Sequence, residues 1–214
     1  MAFIARFDAS GNPVWGAAGG TSGGAYAAGI AADAAGNAYL IGGTSDGSID
    51  FNGTGITNPT PGRAASFLAK FDPANNVNWH KVIASPRENG SCWGYAVATA
   101  SCGEVWISGA MAKADSISDT SSVIPVEVTV DGHLLSSPPA SYDPLYIAGF
   151  TSSGAYVGGA TLQSGGDDQV GLAADAWGSI YLSGDYVGKV PFSIGNNNFP
   201  VEITSEELLY IAKF

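Results

Sequence analysis

Apolar and polar residues alternate with a period of two along most of this chain, and the alternation returns in blocks. The clearest block occurs four times, as AFIARFD (2–8), SFLAKFD (66–72), LYIAGFT (145–151) and LYIAKF (209–214). A period of two puts successive side chains on opposite faces, so each block reads as a β-strand. Its aromatic position recurs at Phe3, Phe67, Tyr146 and Tyr210, with spacings of 64, 79 and 64 residues. A turn and a second strand carrying an aromatic follow each of the first three: Asp8–Asn12 leads to Trp15, Asp72–Asn76 to Trp79, and Ser152–Gly154 to Tyr156. Asp or Asn caps such a turn through its side chain, and Gly or Asn takes the left-handed position.

A second kind of hairpin follows each time, with small residues in its first strand and an aromatic opening its second. Its copies run from Gly29 to Gly42, from Ala96 to Gly109 and from Gly171 to Gly184. Strands of Ala and Gly have little side chain to bury, which predicts positions where backbones crowd together. The pattern therefore predicts equivalent inner hairpins at 25–43, 93–110 and 168–184. Strands joined throughout by hairpins cannot form a parallel sheet with helical crossovers. Recurrence of one four-stranded unit favours a radial array of blades over a sandwich. The expected fold is all-β: β-propeller blades built from three four-stranded antiparallel repeats at approximately 2–65, 66–144 and 145–208, with 209–214 starting the next. With the small-residue hairpin innermost, a blade runs inner hairpin first and then outer hairpin, so the chain opens on an outer hairpin (3–18). Three blades do not close a ring that takes four to eight. The chain thus reads as a segment of a larger propeller, its partners being the remaining blades of the same chain or another subunit.

The phrases FIARFDASGNPVW and GIAADAAGNAYLIGG resemble the seven-bladed β-propeller repeat family of bacterial secreted and surface proteins. The likeness runs through three copies and is most worn in the second, where Ala100 stands for Asp33 and Glu104 for Asn37. The resemblance implies an extracellular or cell-surface propeller. It brings no catalytic residues with it.

Composition agrees with many short strands and tight turns: 30 Gly, 11 Pro, 45% apolar residues and only 13% charged. A net charge of −11 argues against nucleic acid, whose phosphates need a basic footprint. No apolar run is long enough for a membrane-spanning helix, and Met1 leads straight into a strand rather than a secretory signal. Two cysteines, Cys92 and Cys102, are too few for a disulfide scaffold. The repeat register places them at opposite ends of a hairpin, roughly 25 Å apart, beyond the ~7 Å limit for a disulfide.

Candidate chemistry is sparse. Arg87 and Glu88, and Asp167 and Asp168, each precede an inner strand, where loops would gather on a propeller face; they are the residues expected to make polar contacts. Asp46, Asp50 and Asn52 offer oxygens at alternating positions, as calcium loops do, but without the acidic residue that closes such a loop. No cofactor is expected beyond that weak calcium candidate. His80 and His133 lack companions at zinc-ligand spacing, and no G-x-S-x-G nucleophile turn occurs. The glycan-acceptor triplets at Asn52 and Asn89 read as coincidence. The segment Ala110–Pro144, with alternating residues before Asp131-Gly132, predicts an extra hairpin arm. The functional expectation is a non-enzymatic binding or structural module presenting loops to protein or glycan. The alternative is a propeller hydrolase or lyase with its active site on the central axis.

Overall fold

A computed structural model describes residues 1–20, 24–45, 47–87, 90–112, 125–137, 143–162, 170–186, 192–194, 197–199 and 208–213. Within them the chain is all β. Strands β1 (Ala2–Phe7), β2 (Pro13–Gly19), β3 (Ala25–Ala32), β4 (Ala38–Thr44), β5 (Ser48–Phe51) and β6 (Thr54–Thr57) come first. Next are β7 (Ala65–Phe71), β8 (Val77–Ala84), β9 (Ser91–Thr99), β10 (Val105–Ala112), β11 (Val126–Val130) and β12 (His133–Ser137). The remainder are β13 (Leu145–Phe150), β14 (Tyr156–Leu162), β15 (Gly171–Ala174), β16 (Ile180–Tyr186), β17 (Phe192–Ile194), β18 (Asn197–Phe199) and β19 (Leu208–Lys213).

These strands form antiparallel sheets that follow sequence order internally but interleave along the chain. One six-stranded sheet runs β3-β4-β7-β8-β11-β12, and a second runs β9-β10-β13-β14-β17-β18. A three-stranded sheet runs β15-β16-β19, and β1-β2 and β5-β6 form two-stranded sheets. The small-residue hairpins β3-β4, β9-β10 and β15-β16 thus belong to three different sheets, and their first strands pack on one another, β3 against β9 and β9 against β15. Chain crowding explains their composition. A β-carbon on Gly94 would lie 2.6 Å from Ile41 Cγ1 and 3.0 Å from the Gly42 carbonyl oxygen.

The connection that follows each small-residue hairpin makes an excursion. The chain leaves β10, forms β11-β12 on the outer edge of the preceding sheet, then returns as β13. Thr129 and Val130 of β11 pair with Ala84 and Ile83 of β8. The β17-β18 hairpin does the same for β14, through Leu162 and Ile194, and β5-β6 packs against β2. The arm foreseen between 110 and 144 is therefore an outer hairpin lent backward to a neighbour.

Apolar residues fill the seams between successive sheets. Ala2, Ile4, Ala17, Ile49, Phe51, Ile56, Leu40 and Phe67 join the β1-β2 and β5-β6 hairpins to the first six-stranded sheet. Tyr39, Ile41, Leu68, Ile83, Val128, Val130, Ile107, Tyr146 and Phe150 join the two six-stranded sheets. Leu145, Ile147, Leu162, Ile180 and Leu182 continue to the three-stranded one. At about 25 cal/mol per Å2 of apolar surface withdrawn from water, these seams dominate the stability.

Candidate functional site

One turn motif closes both kinds of hairpin, and antiparallel pairing gathers its copies at one end of the sheets. In each, the first residue's N–H bonds the carbonyl four positions on, and its own carbonyl accepts the N–H three positions on. The first residues are Asp8, Asp33, Asp72, Ala100, Thr151 and Asp175. The fourth position has positive φ, as at Gly36 (81°) and Asn75 (71°), which explains Gly and Asn there.

Where Asp leads, its carboxylate is consumed by the turn. Asp33 Oδ1 accepts the N–H groups of Ala35 and Asn37 at 3.0 and 2.9 Å. Its Oδ2 accepts Asn37 Nδ2 at 2.7 Å and the Tyr39 hydroxyl at 3.0 Å. Asp175 is held likewise by Trp177, Ser179 and Tyr181. Asp8 and Asp72 bond Asn12 and Asn76 through both backbone and side chain.

The turns also bond across the seams. Thr99 Oγ1 donates to the Ala32 carbonyl at 2.8 Å, and Ser101 Oγ to the Ala176 carbonyl at 2.6 Å. Trp15 Nε1 and Arg6 reach the Pro73 carbonyl, as Trp79 Nε1 and Lys70 reach that of Ser152. Between these turns lies a depression of about 570 Å3, lined by Asp33, Asn37, Lys70, Thr99, Cys102 and Asp175 among others. Lys70 Nζ is 2.7 Å from the Ser152 carbonyl oxygen and 5.4 Å from the Tyr39 ring centroid. Beside the depression Trp177 is 90% exposed, the most exposed large hydrophobic side chain among the described residues.

Protonation follows from this bonding. Burial pushes the Asp33 carboxyl up, but the hydrogen bonds of Asn37 and Tyr39 and the Lys70 charge outweigh it, leaving the pKa below 3.8. The Asn12 side chain lowers Asp8, and the Asn76 side chain lowers Asp72. A carboxyl depressed in the folded state stabilises above its unfolded pKa, and that contribution is lost as pH falls through the folded value. The urea midpoint should therefore hold steady from pH 7 to 5 and fall below about pH 4. Asp33→Asn should lower it at pH 7 and flatten the acid fall; an unchanged profile would show that this carboxylate does not support the turn.

Of the residues the sequence marks for contact, Arg87 sits before β9, at the other end of that strand from the depression. Its Nε bonds Glu127 Oε2 of β11 at 2.7 Å, so it ties the lent hairpin in place. Glu88, Asp167, Asp168 and Asp46 lie outside the described residues. Asp50 Oδ1 accepts the Gly53 N–H at 2.8 Å, and Asn52 Nδ2 donates to the Asn75 carbonyl at 2.9 Å. Asp50 thus serves the β5-β6 turn itself, and Asn52 ties that turn to the β7-β8 turn. Among the described residues no three His, Cys, Asp or Glu gather as metal ligands would. His80 pairs with Ala69 in the sheet, and His133 stacks on Tyr156 at 4.1 Å.

Cys92 is buried and Cys102 exposed, both as free thiols. Cys92 opposes Met111 at one end of the β9-β10 hairpin, while Cys102 sits in the turn at the other. Burial raises the Cys92 thiol to about 11.

The turn face as a site escaped the sequence reading, although its signal, Asp or Thr followed three residues later by Gly or Asn, is present in five of the turns. Compared with known proteins, the chain matches no family model and no curated protein.

Proposed function

We propose that the chain is a non-catalytic β-propeller module of the extracellular space or cell surface, offering its turn-bearing end for protein or glycan contact. A propeller reading is supported by the recurrence of one four-stranded unit and by the packing of successive first strands, β3 on β9 on β15. Binding rather than catalysis is supported chiefly by one observation: most of the polar side chains lining the depression are already committed to hydrogen bonds within and between the turns. Asp33, Asp175, Thr99, Ser101 and Lys70 all hold the hydrogen bonds given above. General acid–base or nucleophilic chemistry needs groups free to exchange protons with a substrate. The Cys102 thiol has no histidine among the residues lining the depression.

Trp177 is the natural anchor, since a large exposed aromatic surface contributes strongly when a partner covers it. On a glycan array and a panel of extracellular proteins, the intact chain should bind selectively. Trp177→Ala should weaken that binding by about tenfold or more, as for a hot-spot aromatic. Release of cleaved glycan, by hydrolysis or elimination, would instead establish the propeller-enzyme reading.

A further inference from the structure

Among the described strands, β1 is bordered on one edge only. Its equivalents β7 and β13 are each flanked by two strands, β4 and β8, and β10 and β14. β1 pairs with β2 and with no other described strand. An open row of backbone N–H and C=O groups is a template for another strand.

Side chains state what that strand should look like. In β7, Phe67 lies across from Gly42 of β4; in β13, Tyr146 lies across from Gly109 of β10. Both aromatics are fully buried, and a β-carbon on either glycine would collide with the ring opposite, at 3.0 Å from Phe67 Cζ and 2.8 Å from Tyr146 Cε1. A strand glycine covered by a cross-strand aromatic is a recognised register device. The backbone of β19 repeats it, Tyr210 opposite Gly184. Phe3 holds the same position in β1, yet it is 69% exposed, and Phe7, matching the buried Phe71, is 60% exposed.

A neighbouring face points to the same occupant. Val97 of β9 is 7% exposed, packed in the seam formed with the sheet of β3-β4. Ile30 holds the matching position in β3 and is 58% exposed, with Ala27, Ala28 and Ala32 exposed beside it. The seam that runs from β15 to β9 to β3 therefore continues onto the open face of β3. A hairpin on the β1 edge would lie over that face as β3-β4 lies over β9.

We infer that the β1 edge, with Phe3 and Ile30, is a docking surface for a β-hairpin of this chain's own small-residue design, carrying glycine opposite Phe3. The hairpin adds strands by main-chain pairing, while the glycine and the apolar seam set its register. This rests on the geometry of the repeat and not on the contact role given to the turn face.

The probe is a synthetic peptide of residues 24–45, the sequence of β3-β4, titrated into the intact chain by calorimetry. Saturable one-to-one binding is expected. Phe3→Ala and Ile30→Asp in the chain, both at exposed positions that leave folding intact, should each weaken it tenfold or more. Gly42→Val in the peptide should do the same. Absence of binding, or equal binding of a peptide of reversed sequence, overturns the inference. So does concentration-dependent self-association that Phe3→Ala abolishes while the peptide stays inert, since a second copy would then be the occupant. None of these outcomes alters the Trp177 test, so the two readings fail separately.

Discussion

Gly109→Ala should cost the protein about 3 kcal/mol, the upper range for forcing one carbon into a packed interior. The added β-carbon would run into the Trp93 carbonyl oxygen and lie 2.7 Å from the Tyr146 hydroxyl. Neither can give way cheaply. Trp93 belongs to β9, whose pairing with β10 shifts register between Ser108 and Gly109. Tyr146 donates to Ser66 Oγ of the adjoining sheet at 2.9 Å, and Ser66 in turn reaches Cys92 Sγ at 3.7 Å. Displacing Tyr146 therefore disturbs both six-stranded sheets at once. Gly42→Ala should behave alike, because its β-carbon would strike the Tyr26 carbonyl oxygen beside a similar bulge in β3. Gly158→Ala is the control: nothing lies within 4 Å of its β-carbon position, so it should be neutral or gain up to about 1 kcal/mol through the unfolded chain. Urea denaturation of the three variants decides the matter. Equal midpoints for Gly109→Ala and Gly158→Ala would mean that the bulge relaxes freely.

Val128→Asp should be the most damaging single change in the lent hairpin. Val128 is fully buried, in one cluster with Ile83, Val130 and Leu135. A carboxylate there has no partner, and burying an uncompensated charge or polar group is among the few routes to losses above about 4 kcal/mol. Its location makes the damage diagnostic. The hairpin lies in sequence between β10 and β13, but its backbone bonds go to β8. Hydrogen exchange should therefore rise first at the amides of Ile83 and Ala84. Opening confined to β13 and β14 would mean that the hairpin stabilises its own unit instead.

Much of the fold is legible in the sequence because period-two alternation and turn chemistry are local. The aromatic of AFIARFD and its relatives marks β1, β7, β13 and β19, and the Ala/Gly runs mark β3, β9 and β15 with their turns. Asp131-Gly132 announces the β11-β12 turn, where Asp131 has φ 50° and Gly132 82°. What escapes is the destination of that hairpin. Thr129 and Val130 carry no local mark of pairing with Ile83 and Ala84, some 45 residues earlier; such pairing depends on which edge is open. Asn52-Gly53, with φ of 54° and 84°, is as strong a hairpin signal as the chain contains. Its oxygen-rich surroundings read instead as a weak calcium loop, because carboxylates that cap turns and carboxylates that bind cations are the same residue types. The turn face was hidden for the same reason: Asp8, Asp33 and Asp175 are legible singly as caps, but only the stacking of sheets brings Asp33, Cys102 and Asp175 around one depression.

The backward lending of hairpins sets a schedule for synthesis. The sheet begun by β3-β4 receives β7-β8 and then waits while β9-β10 starts the next sheet; its edge is covered only when β11-β12 emerges. By the time that sheet is complete, a third of its successor, β9 and β10 of six strands, is already made. Folding along a growing chain thus has no pause at which one sheet is finished and the next not begun, so neighbours must fold together. Many repeat arrays approximate a row of units, each touching only its neighbours. Here the links are threaded, and cooperativity between adjacent sheets is written into the path of the chain.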